Sequence, residues 1–382
     1  MFELSALTLL EIILIIGFGL TFFVELFYWL YIMLGIWRHR QHVKAGKVAY
    51  REDQPGVSVI ICARNEGRNL LNYLPAVLEQ RYPTFEVIVI DDGSIDNTHD
   101  VITIYSQKYS NLHITFVPRE ARALSSKKLA ITLGVKAARY DYLLFTDADC
   151  VPESDLWIAM MMRNFTDDTD FVLGYGAYFE DKTHLSRLIS FDTLTIGMQY
   201  LGYAEIGIPY MGVGRNMAYR KRVFMDNRGF AGMLGVIAGD DDLFVNRYAT
   251  GKGTRIEVTP ESVIWSPAKK RHSSWWQQKR RHLSVSPLYT ATSKFIAGWE
   301  CVVRFFFYAT FLCMLYVSKW PFIMVAMLCM LIKLLTEESV INRTARQLGQ
   351  HRFALWNVLY FDIVIPVVNL IAMLTPRRHN GW

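Results

Sequence analysis

The stretch Tyr142-Leu143-Leu144-Phe145-Thr146-Asp147-Ala148-Asp149 is a short continuous apolar run that ends on two carboxylates one residue apart. A run of this kind is what a strand buried on both faces requires. The pattern recurs on either side of it. Residues 57–61 lead into Ala63-Arg64-Asn65-Glu66, and residues 85–90 lead into Asp91-Asp92-Gly93-Ser94. Further on, Gly239-Asp240-Asp241-Asp242 opens onto Leu243-Phe244. Ligands of open α/β sheets bind outside the carboxyl ends of the strands, so these acids gather on one rim. Crowded carboxylates repel and share a cation, a proton or hydroxyl donors. A metal-assisted site for a phosphorylated ligand fits best.

Helical patterns at 70–80, 98–109 and 127–138 separate the strands, with a further short strand at 113–117. Strands alternating with helices of this length indicate βαβ units and a mostly parallel sheet, an α/β fold. One domain of ordinary size, residues 55–286, holds them all. It has no G-x-G-x-x-G and no Walker lysine loop, which excludes the usual dinucleotide and P-loop readings.

The rest of the chain is apolar. Of 382 residues, 52% are hydrophobic, and residues 4–37 form an almost unbroken apolar stretch interrupted by Glu11 and Glu25. This exceeds the ~20 residues a bilayer crossing needs and is too long for a secretory signal. Residues 1–37 are therefore expected to hold a transmembrane helix. Arg38, Arg40, Lys44, Lys47 and Arg51 mark residues 38–54 as a basic juxtamembrane linker on the cytosolic side. Residues 295–336 read as a transmembrane hairpin with Lys319-Trp320-Pro321 near its tip, and residues 337–352 as a cytosolic amphipathic connector. Residues 353–375, with Asp362, Pro366 and Asn369, form a third C-terminal membrane segment, either a span or a re-entrant or interfacial one. Four crossings would put Arg377-Arg378-His379 outside, against the basic-residue rule. The expected location is integral and multi-pass in the inner (cell) membrane, with the α/β domain cytosolic. The net charge of +6 sits beside these segments, so anionic lipid and a nucleotide pyrophosphate are the expected partners and nucleic acid is not. The five cysteines include no C-x-x-C pair and are expected to be reduced.

Asp147 and Asp149 can aim at one hard cation, since Mg²⁺ is commonly held by one or two carboxylates plus substrate phosphate oxygens. Asp91-Asp92-Gly93-Ser94 reads either as a plain turn or as acids receiving a base or ribose. Lys127, in Ser126-Lys127-Lys128, opens a helix where its charge does not suit the dipole, which points to an anionic partner such as phosphate. One acid of Asp240-Asp241-Asp242 could take a proton from an acceptor hydroxyl. Trp275-Trp276 followed by Gln278-Lys279-Arg280-Arg281-His282 reads as a membrane-surface helix, as a diphosphate-neutralising element with a tryptophan against a sugar, or as both. Residues 188–211, carrying Tyr200, Tyr203 and Tyr210 and interrupted by Asp192 and Glu205, read equally as a packed helix or an interfacial one presenting a lipid-linked acceptor.

In this order the motifs resemble those of the family 2 glycosyltransferases, the membrane-anchored bacterial type with a GT-A domain. Val57-Ser58-Val59-Ile60-Ile61 with Ala63-Arg64-Asn65-Glu66 is similar to its opening strand and nucleotide loop, and Asp91-Asp92-Gly93-Ser94 to its second acidic motif. Lys127, Ala130 and Gly134 fall on its G-K-x-x-A-L-N-x-G spacing, with Ser126 and Thr132 departing from it. Asp147-Ala148-Asp149 resembles its D-x-D motif, and Gly212-Val213-Gly214-Arg215-Asn216 opens a stretch like its acceptor-side strand. Asp240-Asp241 stands where the family has an acidic pair, and Gln278-Lys279-Arg280-Arg281-His282 resembles Q-x-x-R-W. His282 in place of tryptophan departs from the processive polysaccharide synthases.

The resemblance implies an inverting sugar transfer from a UDP- or GDP-type nucleotide-sugar to a membrane lipid, a lipid-linked acceptor or a polysaccharide. Ala63, Arg64, Asn65, Glu66, Asp91, Asp92, Lys127 and Asp147 would bind the nucleotide. Asp149 with Asp147 would hold Mg²⁺ or Mn²⁺, Gln278, Arg281 and His282 would meet the diphosphate or acceptor, and Asp241, or else Asp240, would be the base. Two other classes stay open: a nucleotidyltransferase of the same sheet fold, and an inactive membrane anchor that binds nucleotide-sugar.

Overall fold

The computed structural model describes residues 7–118, 126–233, 236 and 238–375. Arg377-Arg378-His379 lie outside the described residues. In chain order the strands are β1 (Val57–Ala63), β2 (Phe85–Asp91), β3 (Leu112–Phe116), β4 (Tyr142–Asp147), β5 (Val151–Pro152), β6 (Phe171–Leu173), β7 (Gly176–Phe179), β8 (Met217–Arg220), β9 (Thr254–Ile256) and β10 (Ile264–Pro267). A seven-stranded sheet runs β3-β2-β1-β4-β8-β6-β9, and a three-stranded one β5-β10-β7. β3, β2, β1 and β4 are mutually parallel, while β8 runs antiparallel to both β4 and β6. The register sets Ala63 opposite Asp91 and Cys62 opposite Asp147, so the acid-tipped strands finish level.

The apolar runs are buried on both faces because helices cover both sides. Val57, Val59 and Ile61 point to one layer with Leu70, Leu74 and Val77 of the helix Gly67–Leu78. Ile60, Ile88 and Ile90 point to the other, against Ala130, Ile131 and Val135 of the helix Ser126–Ala137. Gly134 lets that helix lie close, since a Cβ there would meet Ile90 and Ile60 at 2.8 and 2.9 Å. These helices and the helix Thr98–Lys108 fall within a few residues of the expected patterns.

The helix His184–Glu205 is a packed core element, with most of its length buried between the sheet and the membrane-side helices. A helix Gly35–Lys44 follows the first apolar helix and occupies the start of the expected linker 38–54. Its Gly35 lies on Gly202, where a Cβ would come within 2.4 Å of the Gly202 Cα. His39 and His42 then meet Glu205 at 2.7 and 3.0 Å. Four helices are long and apolar enough to cross a membrane: Leu9–Met33, Ala291–Val317, Trp320–Gln347 and Leu355–Leu374. The third runs straight through the position where a separate connector was expected at residue 337, because Val340, Ile341 and Ala345 continue its buried face onto the domain core. Between these helices, Asp362 meets Arg304 at 2.6 Å, Lys333 at 3.0 Å and the Tyr308 hydroxyl at 2.6 Å.

Candidate active site

The ends of β1, β2 and β4 carry the first half of the site. The loops after β1 and β2 are stitched together by hydrogen bonds. The Asn65 amide donates to Ser94 Oγ, the Ile95 amide to Asn65 Oδ1, and the Glu66 amide to Thr98 Oγ1. Asn65 takes a φ of 58° and Gly93 one of 74°, left-handed values that asparagine and glycine tolerate best. Asp91 accepts the Ser94 amide at 2.9 Å, a turn bond, yet it is buried at the rim. Asp92 is buried beside it, 3.9 Å from Arg64, and its amide donates to the Ala63 carbonyl. The turn bond is thus made while both carboxylates stay at the rim.

At the end of β4, donor atoms of Asp147, Asp149 and Cys150 lie within 4.8 Å of one another. Burial pushes the Asp149 carboxyl up, Asp147 adds to this, and Lys269 and Arg215 pull it back. Glu66 is also raised by burial, with Asp149 and Asp147 contributing. Carboxyls crowded at one rim in this way have the charge balance that a cation restores.

Lys127 joins the two halves. Its Nζ lies 3.2 Å from Asp147 Oδ1 and 3.1 Å from Asp240 Oδ2. Burial opposes its charge, but Asp147, Asp240 and Asp241 outweigh burial and raise its pKa well above the usual lysine value. The neighbouring Lys128 has a different part. Fully buried, it donates to the carbonyls of Val236 and Ala238 and so holds the loop that leads into the acid run.

The three acids of that run are separated by their partners. Asp240 is buried, but Lys127 overrides the burial and lowers its pKa. Asp242 is pushed up to about 8 by burial and by Asp241, accepts the Tyr289 hydroxyl at 2.8 Å and receives the Leu243 amide. Asp241 caps the helix Asp242–Tyr248 and takes the Gly214 amide on Oδ2 at 2.7 Å. Burial and Asp240 raise its pKa, while Lys127 and the two amides oppose the rise.

Gly214 begins a part of the site that the sequence did not single out residue by residue. Arg215 is 8% exposed, donates to the Gly176 carbonyl at 2.6 Å and to Ser266 Oγ at 2.9 Å, and lies 4.2 Å over the Tyr178 ring. Asn216 receives the Trp157 indole N–H and donates to the Tyr175 and Ser262 carbonyls. The available signal was the Gly214-Arg215-Asn216 string itself; its partners are far apart in the chain.

The helix His272–Leu283 closes the site. Gln278 donates to the Tyr178 hydroxyl at 3.0 Å, beside Arg215. Lys279 turns inward to Asp192, and Trp275 is buried in the core, so that tryptophan is not available to pack on a sugar. Arg281 and His282 are open to solvent.

Residues 58–228 match the family described as Glycosyl transferase family 2. The chain is 26% identical over 270 residues to the probable glycosyltransferase YdaM of Bacillus subtilis, covering 68% of this chain and 62% of that protein. It is 33% identical over 233 residues to a poly-beta-1,6-N-acetyl-D-glucosamine synthase of Staphylococcus aureus, covering 60% of this chain and 54% of that one. The matched region thus spans less than two thirds of either relative. In structure it is similar to the mannosyltransferase PcManGT from Pyrobaculum calidifontis, solved with GDP-Man and Mn²⁺, with a TM-score of 0.57 and 18% identity over 94% of this chain and 98% of that one. The family match over the strands that carry the acids, the named relatives and the shared sheet agree: residues 58–228 carry a glycosyl transferase family 2 domain, and the α/β unit has a GT-A-like fold.

Proposed function

We propose that this protein is an inverting glycosyltransferase that moves a sugar from a UDP- or GDP-type nucleotide-sugar to a hydroxyl or phosphate of a membrane-associated acceptor, a glycolipid, lipid-linked oligosaccharide or polysaccharide. The observation that carries this reading is Lys127, whose one ammonium bridges the D-x-D end of β4 and the acid run at Asp240. The bridge supports a reading in which a donor-phosphate site and a base share one cleft. The GDP-Man and Mn²⁺ bound to the structural neighbour and the polymer named for the Staphylococcus relative support the substrate class.

In this mechanism Asp91 and Asp92, with the 63–66 loop, hold the nucleoside. Asp149 and Asp147 supply the hard oxygen donors that suit Mg²⁺ or Mn²⁺, and their crowded carboxyls fit a divalent ion. Such an ion would offset phosphate charge when bound. Lys127 and Arg281 add fixed positive charge where the nucleoside diphosphate departs, the electrostatic aid that lowers barriers most. His282 and Gln278 serve there as hydrogen-bonding groups.

Asp241 is the base. Asp240 is tied to Lys127 and held strongly acidic, and Asp242 is committed to Tyr289 and the Leu243 amide. Asp241 alone of the three has a raised pKa without a side-chain partner among the described residues, and a base works best as its pKa approaches the operating pH. Its proton comes from the acceptor hydroxyl as the new glycosidic bond forms and the bond to the diphosphate breaks. The site helix rests on His184–Glu205, which also carries the membrane-side helices, so the acceptor arrives at the bilayer surface. Basic residues Arg38, Arg40 and Lys44 support a cytosolic side for that surface.

The test is release of free nucleoside diphosphate by detergent-purified protein given a panel of nucleotide-sugars, Mn²⁺ or Mg²⁺ and a membrane lipid extract. Release from one donor, abolished by chelator and by Asp149→Ala, is the expected result. Pyrophosphate release from a nucleoside triphosphate plus sugar phosphate would overturn it in favour of a nucleotidyltransferase.

A further inference from the structure

Hydropathy makes the helix Leu355–Leu374 a membrane span, but its contacts say otherwise. At its start, Arg187 donates to the Arg352 carbonyl and lies 4.2 Å over the Phe353 ring. The His184 ring then meets Tyr360 and Phe361 at 5.5 and 5.6 Å, and Phe191 meets Phe361 at 5.1 Å. At the far end, Arg280 donates to the Thr375 carbonyl at 3.2 Å. Arg187, Phe191 and Arg280 belong to one packed body, because Lys279 and Asp192 lock their two helices together.

A helix of 20 residues is ~30 Å long at ~1.5 Å per residue, the full thickness of a hydrocarbon core. If it stood across the bilayer, Thr375 would emerge on the side opposite Arg352. Arg280, next to Lys279 on the domain, could then not reach it.

The side-chain pattern agrees with a helix lying flat. Val358, Phe361, Ile365 and Ala372 are buried along one face. Trp356, Tyr360, Ile363, Val367, Leu370 and Leu374 are exposed at alternating spacings of four and three along the opposite face, and Ile371 and Met373 widen the exposed apolar surface in the last turn. The stripe is continuous in character with the exposed apolar surfaces of the neighbouring helices, such as Phe305 and Phe306 on one and Met324 and Leu328 on the next. The helix's one carboxylate, Asp362, is turned to Arg304 and Lys333.

We propose that Leu355–Leu374 lies in the membrane surface on the domain's side, its Trp356-to-Leu374 stripe sunk at the headgroup and acyl boundary, and that only the other three apolar helices cross. Tryptophan and tyrosine on the stripe suit that depth. Three crossings also leave the chain after Thr375 on the side of Arg38 and Arg40, as the basic-residue rule asks. Because the helix His272–Leu283 packs against it, the bilayer surface backs the element that carries Gln278, Arg281 and His282. The inference stands whether or not the protein transfers sugar.

The test compares two positions in the full chain, between the hairpin helices after Ser318 and after Trp382. Each receives, in separate fusions, green fluorescent protein, which lights only in the cytosol, and alkaline phosphatase, which is active only outside. Opposite sides for the two positions are expected; the same side would mean that the last helix spans, and would overturn the proposal. Nitroxide depth measurements on Trp356→Cys, Val367→Cys and Leu374→Cys, with the native cysteines replaced by serine, give a second reading. Equal shallow depths support the surface helix, and a passage through the midplane refutes it.

Discussion

Lys279 and Asp192 form an ion pair inside the protein, with the ammonium 2.6 Å from both carboxylate oxygens and both residues less than 8% exposed. Two sequence features that looked unrelated, a basic run and an acid interrupting an apolar stretch, thus neutralise each other. Removing one partner strands a buried charge, which costs about 3–5 kcal/mol. Lys279→Met is expected to lower the unfolding midpoint sharply in detergent, while Lys279→Met with Asp192→Leu recovers most of the loss. Equal midpoints for the single and double variants would count against the pairing.

Asp241→Asn keeps the shape of the helix cap but cannot accept a proton. Turnover should fall by about 10²–10⁴-fold, the usual share of general-base catalysis. Nucleotide affinity measured by calorimetry should stay within about threefold, because Asp241 faces Gly214 rather than the 63–66 loop.

The pH profile gives an independent sign. Asp241 is raised above the ordinary aspartate value by burial and Asp240, so the acid limb of the rate profile should lie above pH ~3.9. Lys127 opposes that rise. Lys127→Met therefore moves the limb to higher pH in whatever activity survives; a downward shift would contradict the geometry.

Asp242 links pH to stability. Its folded value of about 8 exceeds the unfolded ~3.9, so the folded state holds the proton more tightly. Its stabilising share is complete below pH ~4 and is lost as pH rises through about 8. Asp242→Asn should gain on the wild type between pH 5 and 8 in thermal unfolding, and the two curves should converge towards acid.

Gly202→Ala probes the seam between domain and membrane helices. The added Cβ would lie 2.2 Å from the Ile32 carbonyl oxygen, backbone that cannot rotate away. Overpacking of this kind costs about 1–3 kcal/mol. Lower thermal stability is expected, with Gly19→Ala, where nothing lies within 4 Å, unchanged as the control.

Much of the site was legible because its residues follow buried strands directly. Parallel pairing with Ala63 opposite Asp91 and Cys62 opposite Asp147 brings their acids to one rim with no further information needed. The apolar runs, their spacing and the acids at their ends are local properties, and they determined the α/β sheet, the closeness of Asp147 and Asp149 and the presence of helices long and apolar enough to cross a membrane.

Other features depend on which distant groups meet. Lys127 and Lys128 are adjacent and chemically identical, yet one bridges two carboxylates and the other braces two carbonyls, since successive helix positions point 100° apart. Asp240, Asp241 and Asp242 differ only in their neighbours, Lys127, the Gly214 amide and the Tyr289 hydroxyl. The helix Leu355–Leu374 has the length and hydropathy of a span, and only its contacts at both ends reveal where it rests. The sequence by itself determined which elements form, because burial patterns act over a few residues. Tertiary structure decided the charge state and orientation of each, because those follow from electrostatics and packing between residues remote in the chain.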